Sequence, residues 1–259
     1  MPAPQPPVRI LGVDVHPVTV EQLHGYIGEK IATGARAQVL NVNAHCLNLT
    51  WERRWMREMF RRADMVFCDG FGVLLAARIL GSSLPERITY ADWIWEFASF
   101  CERGGFSLFL LGARPGVAEA ARSRLVERFP RLNVVGTHHG YFDKTLGSVE
   151  NDAVIETINR ARPDVVVVAF GMPLQERWLR DNWEALDAHV ALTSGAALDY
   201  VAGRLRRPPR WMTEHGLEWI GRLAIEPQRL WKRYLVGNPL FLYRVVSQRL
   251  GLLREAPGP

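Results

Sequence analysis

A chain of 259 residues with 48% hydrophobic and 23% charged side chains can bury a full core, which excludes a disordered protein. No stretch approaches the roughly 18 to 20 uninterrupted apolar residues of a membrane-spanning helix. The N-terminal Met-Pro-Ala-Pro-Gln-Pro-Pro has no basic or apolar region of a secretory signal, so the expected location is the cytoplasm. The net charge of +5 is unevenly spread. Residues 204–259 hold eleven Lys and Arg, Arg254 among them, against four Glu, Glu255 among them. That balance of +7 leaves −2 for the first 203 residues and calls for an anionic partner at the tail. The three cysteines, Cys46, Cys68 and Cys101, are odd in number and widely spaced. They fit a reducing compartment, as small buried hydrophobes.

Strands are predicted at Ile10–Val15, Gln38–Val42, Met65–Cys68, Ser107–Leu111, Asn133–Gly136, Asp164–Phe170 and His189–Thr193, from run length and β-branched and aromatic content. Helical patterns fill the intervals at Val20–Ala32, His45–Arg62, Gly72–Leu80, Asp92–Glu102, Val117–Arg128, Val149–Ala161 and Gln175–Asn182. Such alternation predicts an α/β fold with an open, mostly parallel, Rossmann-like sheet and helices on both faces. Asp164–Phe170 is apolar from its second residue onward, as a central strand covered on both faces should be. After Arg206-Arg207-Pro208-Pro209-Arg210 come three short helical patterns broken by Pro227 and Pro239. They mix Trp211, Trp219, Trp231, Tyr234, Phe241 and Tyr243 with basic residues. That composition suits a lipid headgroup interface; a basic helical cap packed on the core is the alternative.

Polar residues gather where strands end. Asp69 stands where an apolar strand runs out into a Gly-containing turn before an apolar helix. It can face a ligand beyond the carboxyl end of the sheet, or cap the helix. The segments Asn41–Asn43, Gly112–Gly116, Gly171–Glu176 and Thr193–Gly195 follow other strands in the same way. Gly112 and Gly171 lie between strand and helix, where backbone N–H groups can hold a phosphate. The dinucleotide fingerprint G-x-G-x-x-G is missing after the first strand, and the P-loop pattern is missing throughout. No Asp-x-Asp advertises a divalent metal clamp in the body, and His138-His139 reads as loop rather than ligand.

These residues resemble the WecG/TagA/CpsF glycosyltransferases, glycosyltransferase family 26, from about Leu11 to about Leu242. The resemblance is carried by Ala63-Asp64 leading to Asp69-Gly70-Phe-Gly-Val73, Glu86-Arg87-Ile-Thr89, Val135-Gly136-Thr137 with Gly140-Tyr141-Phe142, and Gly171-Met-Pro173-Leu-Gln175-Glu176. Leu198-Asp199-Tyr200 with Ala202-Gly203, Arg206-Arg207-Pro-Pro-Arg-Trp211, Gly216-Leu-Glu218-Trp219 with Arg222, and Glu226-Pro227-Gln-Arg229-Leu-Trp-Lys232-Arg233-Tyr234 complete it.

The resemblance implies an inverting, metal-independent transferase that uses no cofactor. It would move a hexose-type sugar, N-acetylmannosamine or its uronic acid, from a UDP-sugar to a polyprenyl-diphosphate-linked saccharide in cell-surface polysaccharide biosynthesis. Asp69 would be the catalytic base. Asn41, Asn43, Arg87 and Gln175, with Arg222 and Arg229 of the tail, would bind substrate. Gly112, Gly171, Gln175 and Glu176 would hold the nucleotide. The expected organisation is a catalytic domain over 1–203 and a membrane-associating basic appendage over 204–259. The chain would attach peripherally to the inner, anionic face of the cell membrane, with homo-oligomerisation open. Glucosyl transfer by the same mechanism is a second reading. From other classes come a nucleic-acid-binding protein, motivated by the basic aromatic tail, and an α/β oxidoreductase; the first reading involves no nucleic acid.

Overall fold

Apolar runs flanked by turn residues become strands: β1 (Val8–Ile10), β2 (Val13–Val15), β3 (Ala37–Val42), β4 (Met65–Cys68), β5 (Ser107–Gly112), β6 (Asn133–His138), β7 (Val165–Ala169) and β8 (Val190–Thr193). They are seen in a computed structural model that describes residues 5–253. Residues 1–4 of the N-terminal segment, Arg254 and Glu255 of the tail's charge balance, and the side chain of Arg210 lie outside what is described. β3 to β8 form one sheet in the order β4-β3-β8-β7-β5-β6, and the pairs β3–β8, β8–β7, β7–β5 and β5–β6 are parallel. Helices alternate with these strands along the chain, as the sequence pattern predicts. β7 lies inside the sheet and is buried along its whole length, as its unbroken apolar run requires.

Three sequence expectations are corrected. The predicted first strand is a hairpin outside the main sheet: Leu11 (φ 49°) and Gly12 (φ 83°) reverse the chain, and Val8 pairs with Val15 antiparallel. The predicted helix His45–Arg62 is two helices, Ala44–Glu52 and Arg54–Arg62, separated by an extended Arg53. Pro227 does stand at a break, after the helix Glu218–Ile225, but Pro239 does not break a helix. Pro227 opens the helix Pro227–Trp231, and Pro239 sits in the first turn of Gly237–Arg249. At Pro227 a missing N–H costs nothing, because first-turn amides have no intrahelical acceptor; Pro239 lies just after the π-helical stretch Lys232–Val236.

The chain divides into two compact units. One is built from the residues up to Thr19, Asn41–Thr89 and those from Arg206 onward; the other from Val20–Leu40 and Tyr90–Leu205. In the first, Gln248 clasps the hairpin, accepting from Leu11 N at 2.8 Å and donating to Arg9 O at 2.9 Å. Asn48 donates to Gly237 O at 2.7 Å, and Arg244 bonds Asn48 Oδ1 and Glu52, both at 2.9 Å. Phe241 and Val245 bury the apolar side of that last helix.

In the second unit the β5–β6 register slips by one residue: Leu108 faces Val134 while Phe109 faces Gly136, so Val135 is a bulge. A Cβ on Gly136 would stand 2.4 Å from the Phe109 ring. Glycine here makes room for that buried aromatic. Gly136→Ala is therefore expected to destabilise the protein by about 1–3 kcal/mol. Adding Phe109→Leu should recover part of the loss, read as non-additive shifts in a denaturant-unfolding double-mutant cycle.

Candidate active site

Asp69 leaves β4 on a backbone bond from its N–H to Val42 O, 2.8 Å. Gly70, at φ 126° and ψ 147°, is the N-cap of the helix Phe71–Ile79 and makes no side-chain cap bond. Asp69 is thus not the helix cap. Its Oδ2 instead accepts from Asn41 Nδ2 at 2.9 Å. Burial and, next, the charge of Glu218 push the Asp69 carboxyl up to about 6, against the Asn41 bond and the charges of Arg222 and Arg233. A carboxylate with that value is ionised at neutral pH yet basic enough to accept a proton.

The surroundings are cationic. Glu218, in the first turn of the helix Glu218–Ile225, lies 3.4 Å from Arg87 and 4.0 Å from Arg207. Arg222 shares that helix one turn on. Burial draws the Arg207 and Arg233 guanidiniums down, with Asp69 opposing in both. His45 is pushed down to about 4 by burial and by Arg233 and Arg53, so it is neutral near pH 7. Burial pushes the neighbouring Cys68 thiol up, which leaves it protonated and unsuited to nucleophilic attack.

In the second unit, Gln175 is fully buried and works as a bolt. Its Oε1 accepts from Gly171 N (3.1 Å) and Gly195 N (3.0 Å), joining the loops that follow β7 and β8. Its Nε2 donates to Glu176 Oε1 at 2.8 Å. Glu176 is also fully buried, its Oε2 has no hydrogen-bond partner among the described residues, and burial pushes its carboxyl up to about 7. Gly112 (φ 143°) lets β5 pass close to β7, since a Cβ there would meet Ala169 O at 2.4 Å.

Asn41, Asp69 and Arg87 belong to one unit, together with Arg222. Asn43 is the N-cap of the helix Ala44–Glu52, its Oδ1 accepting from Cys46 N at 3.0 Å. Arg229 is exposed and paired with Glu226 at 2.7 Å. Gln175 and Glu176 have no exposed surface, and Gln175 joins the two loops. Glu218, Arg207 and Arg233 carry no role in the sequence reading. Glu218 had one available signal, as an acid among the eleven cations of the tail.

The sequence profile of the Glycosyl transferase WecG/TagA/CpsF family matches residues 8–255. The chain belongs to this family. Relatives from Staphylococcus aureus strains MRSA252 and NCTC 8325 are 29% identical over 246 residues, covering 93% of both chains; one from strain MW2 is 28% identical over the same span. Each is named as an N-acetylglucosaminyldiphosphoundecaprenol N-acetyl-beta-D-mannosaminyltransferase. The protein is accordingly a glycosyltransferase of the WecG/TagA/CpsF family. Among its described residues no helix is long and apolar enough to cross a membrane.

Glu176 generates a pH test in this glycosyltransferase. Its folded value of about 7 lies above the ordinary 4.5, so folding favours the protonated form. The associated stability is full below about 4.5 and is lost as pH rises through about 7. Glu176→Gln, which cannot ionise, should remove a loss of about 2–3 kcal/mol. Measured by melting, the stability of the variant relative to the wild type should grow as pH rises from about 4.5 to about 7 and level off above it.

Proposed function

We propose that this glycosyltransferase moves N-acetylmannosamine, or its uronic acid, from a UDP-sugar to a polyprenyl-diphosphate-linked N-acetylglucosamine, with inversion. The printed names of relatives that cover 93% of the chain support the sugar and the lipid-linked acceptor. The UDP donor and the inverting course come from the family resemblance of the motifs around Asp69 and Arg87. The observation that carries the chemistry is Asp69: a half-buried carboxylate at a strand end, oriented by Asn41 and pushed up to about 6.

In the reaction, the Asp69 carboxylate takes the proton of the acceptor hydroxyl as that oxygen bonds to the anomeric carbon. The bond from this carbon to the donor phosphate breaks, and its electron pair leaves with UDP. Charge developing on the departing diphosphate is met by guanidiniums, for which Arg87 and Arg222 are suited by permanent charge and planar, two-pronged hydrogen bonding. Gln175 and Glu176 support the nucleotide indirectly, by holding the Gly171 and Gly195 loops. Asp69→Asn keeps the shape and the Asn41 contact but cannot accept a proton. It should fold and bind UDP while losing about 10²–10⁴ in turnover. A base must be ionised to work, so wild-type kcat/KM should fall as pH drops through about 6. Near-normal turnover by the variant in a UDP-sugar assay would remove Asp69 from the mechanism.

The reading includes peripheral attachment to an anionic membrane surface through residues 204–259, an appendage to the catalytic body. Trp211, Trp231 and Tyr243 are 59%, 45% and 69% exposed, and Lys232 and Arg249 are exposed as well. Amphipathic rings and cations together suit a headgroup layer. Binding to anionic vesicles should weaken as salt shortens the screening length from about 10 Å at 0.1 M to about 3 Å at 1 M. Trp231→Ala with Tyr243→Ala should lower it further in a co-sedimentation assay. Unchanged binding in both arms would reject this attachment.

A further inference from the structure

Glu218 is the acidic hub of the cluster around Asp69. Its carboxylate is 16% exposed and faces Arg87, 19% exposed, at 3.4 Å and Arg207 at 4.0 Å. These separations exceed the roughly 2.7–2.9 Å of a tight charge-assisted hydrogen bond. Two guanidiniums are thus gathered by one carboxylate that grips neither closely. The charges acting on Asp69 come from several elements: Glu218 and Arg222 from one helix, Arg233 from the π-helical stretch Lys232–Val236, and Arg207 from a loop; Arg87, also from a loop, joins them through Glu218.

We propose that Glu218 is a positioning residue for the transfer reaction: its carboxylate stands in for the substrate diphosphate on Arg87 and Arg207 until that diphosphate displaces it, and its charge acts on Asp69 across the same cluster. This rests on the reading of Asp69 as the base. Glu218 keeps the arginines gathered and neutralised before substrate arrives, which limits the cost of burying them unpaired. Its loose contacts make displacement easy. Arg207 thereby becomes a diphosphate ligand alongside Arg87. The like charge of Glu218 also helps hold the Asp69 carboxyl above its ordinary value, which favours proton transfer from an acceptor hydroxyl.

The test pairs Glu218→Gln with Glu218→Asp. The glutamine removes the charge at constant shape; the aspartate keeps the charge but withdraws it from Arg87. In Glu218→Gln the acidic limb of kcat/KM should move down from about 6. UDP, used as a product inhibitor, should bind about two- to fivefold more tightly, since it no longer competes with an internal carboxylate. Glu218→Asp should restore the limb while UDP inhibition stays tightened, a combination that a purely structural role does not produce. An unmoved limb in the glutamine variant, or UDP inhibition no tighter, overturns the proposal. Should that variant fail to fold, UDP inhibition of Glu218→Asp decides alone. The base reading is judged separately: an inactive Asp69→Asn with an unmoved limb in Glu218→Gln sinks the role of Glu218 and leaves that of Asp69 standing.

Discussion

Burial of parallel strands on both faces is the constraint from which the rest follows. β5 and β7 have no exposed residue, so their side chains are committed to packing and none can meet a ligand from the middle of the sheet. Polar chemistry is displaced to the ends of the strands. There the chain must turn out of the sheet and into a helix within a few residues. Asp69, Gly112, Gly171 and Gly195 all stand at such points.

The same constraint explains why the two units treat polar side chains so differently. At Gln175 the problem is structural: two loops leave neighbouring strands, and their glycine amides need acceptors in a place closed to water. One amide side chain satisfies both and passes its own donor to Glu176, whose carboxyl is pushed up to about 7 by its dry surroundings and so is about half protonated at neutral pH. At Asp69 the carboxylate is half-buried, has a single amide donor and is ringed by cations, so it stays ionised at neutral pH. Both carboxyls are raised by burial, but the charges of Arg222 and Arg233 oppose the rise at Asp69, whereas hydrogen bonds alone oppose it at Glu176.

Legibility in the sequence tracked how local the determining physics is. Met65–Cys68, Val117–Arg128 and Val149–Ala161 match their predicted limits, because composition, periodicity and caps such as Ser148 act within the element itself. The hairpin turn at Leu11 was not legible, since a positive φ at leucine is imposed by the pairing of β1 with β2 rather than announced by residue type. Nor was the break at Arg53, which contains neither proline nor glycine. Asp69 could be picked out from strand, turn and helix pattern together with family motifs, and its partner Asn41 lay in a loop already singled out. Glu218 offered only a place in a family motif and its acidity among the tail's cations, and no local pattern encodes its pairing with Arg87, 131 residues away.

The clasp between Gln248 and the hairpin has a consequence for how the enzyme comes into being. The second unit ends at Leu205, so every residue of it has been made while the first still waits for its last segment. Domains form as units during synthesis, earlier ones first. The surroundings of Asp69 draw on Glu218, Arg222 and Arg233, and the hairpin near the start of the chain is closed by Gln248 near its end. A chain released before Glu218 is made thus lacks the residues whose charges surround Asp69, whatever the state of its second unit.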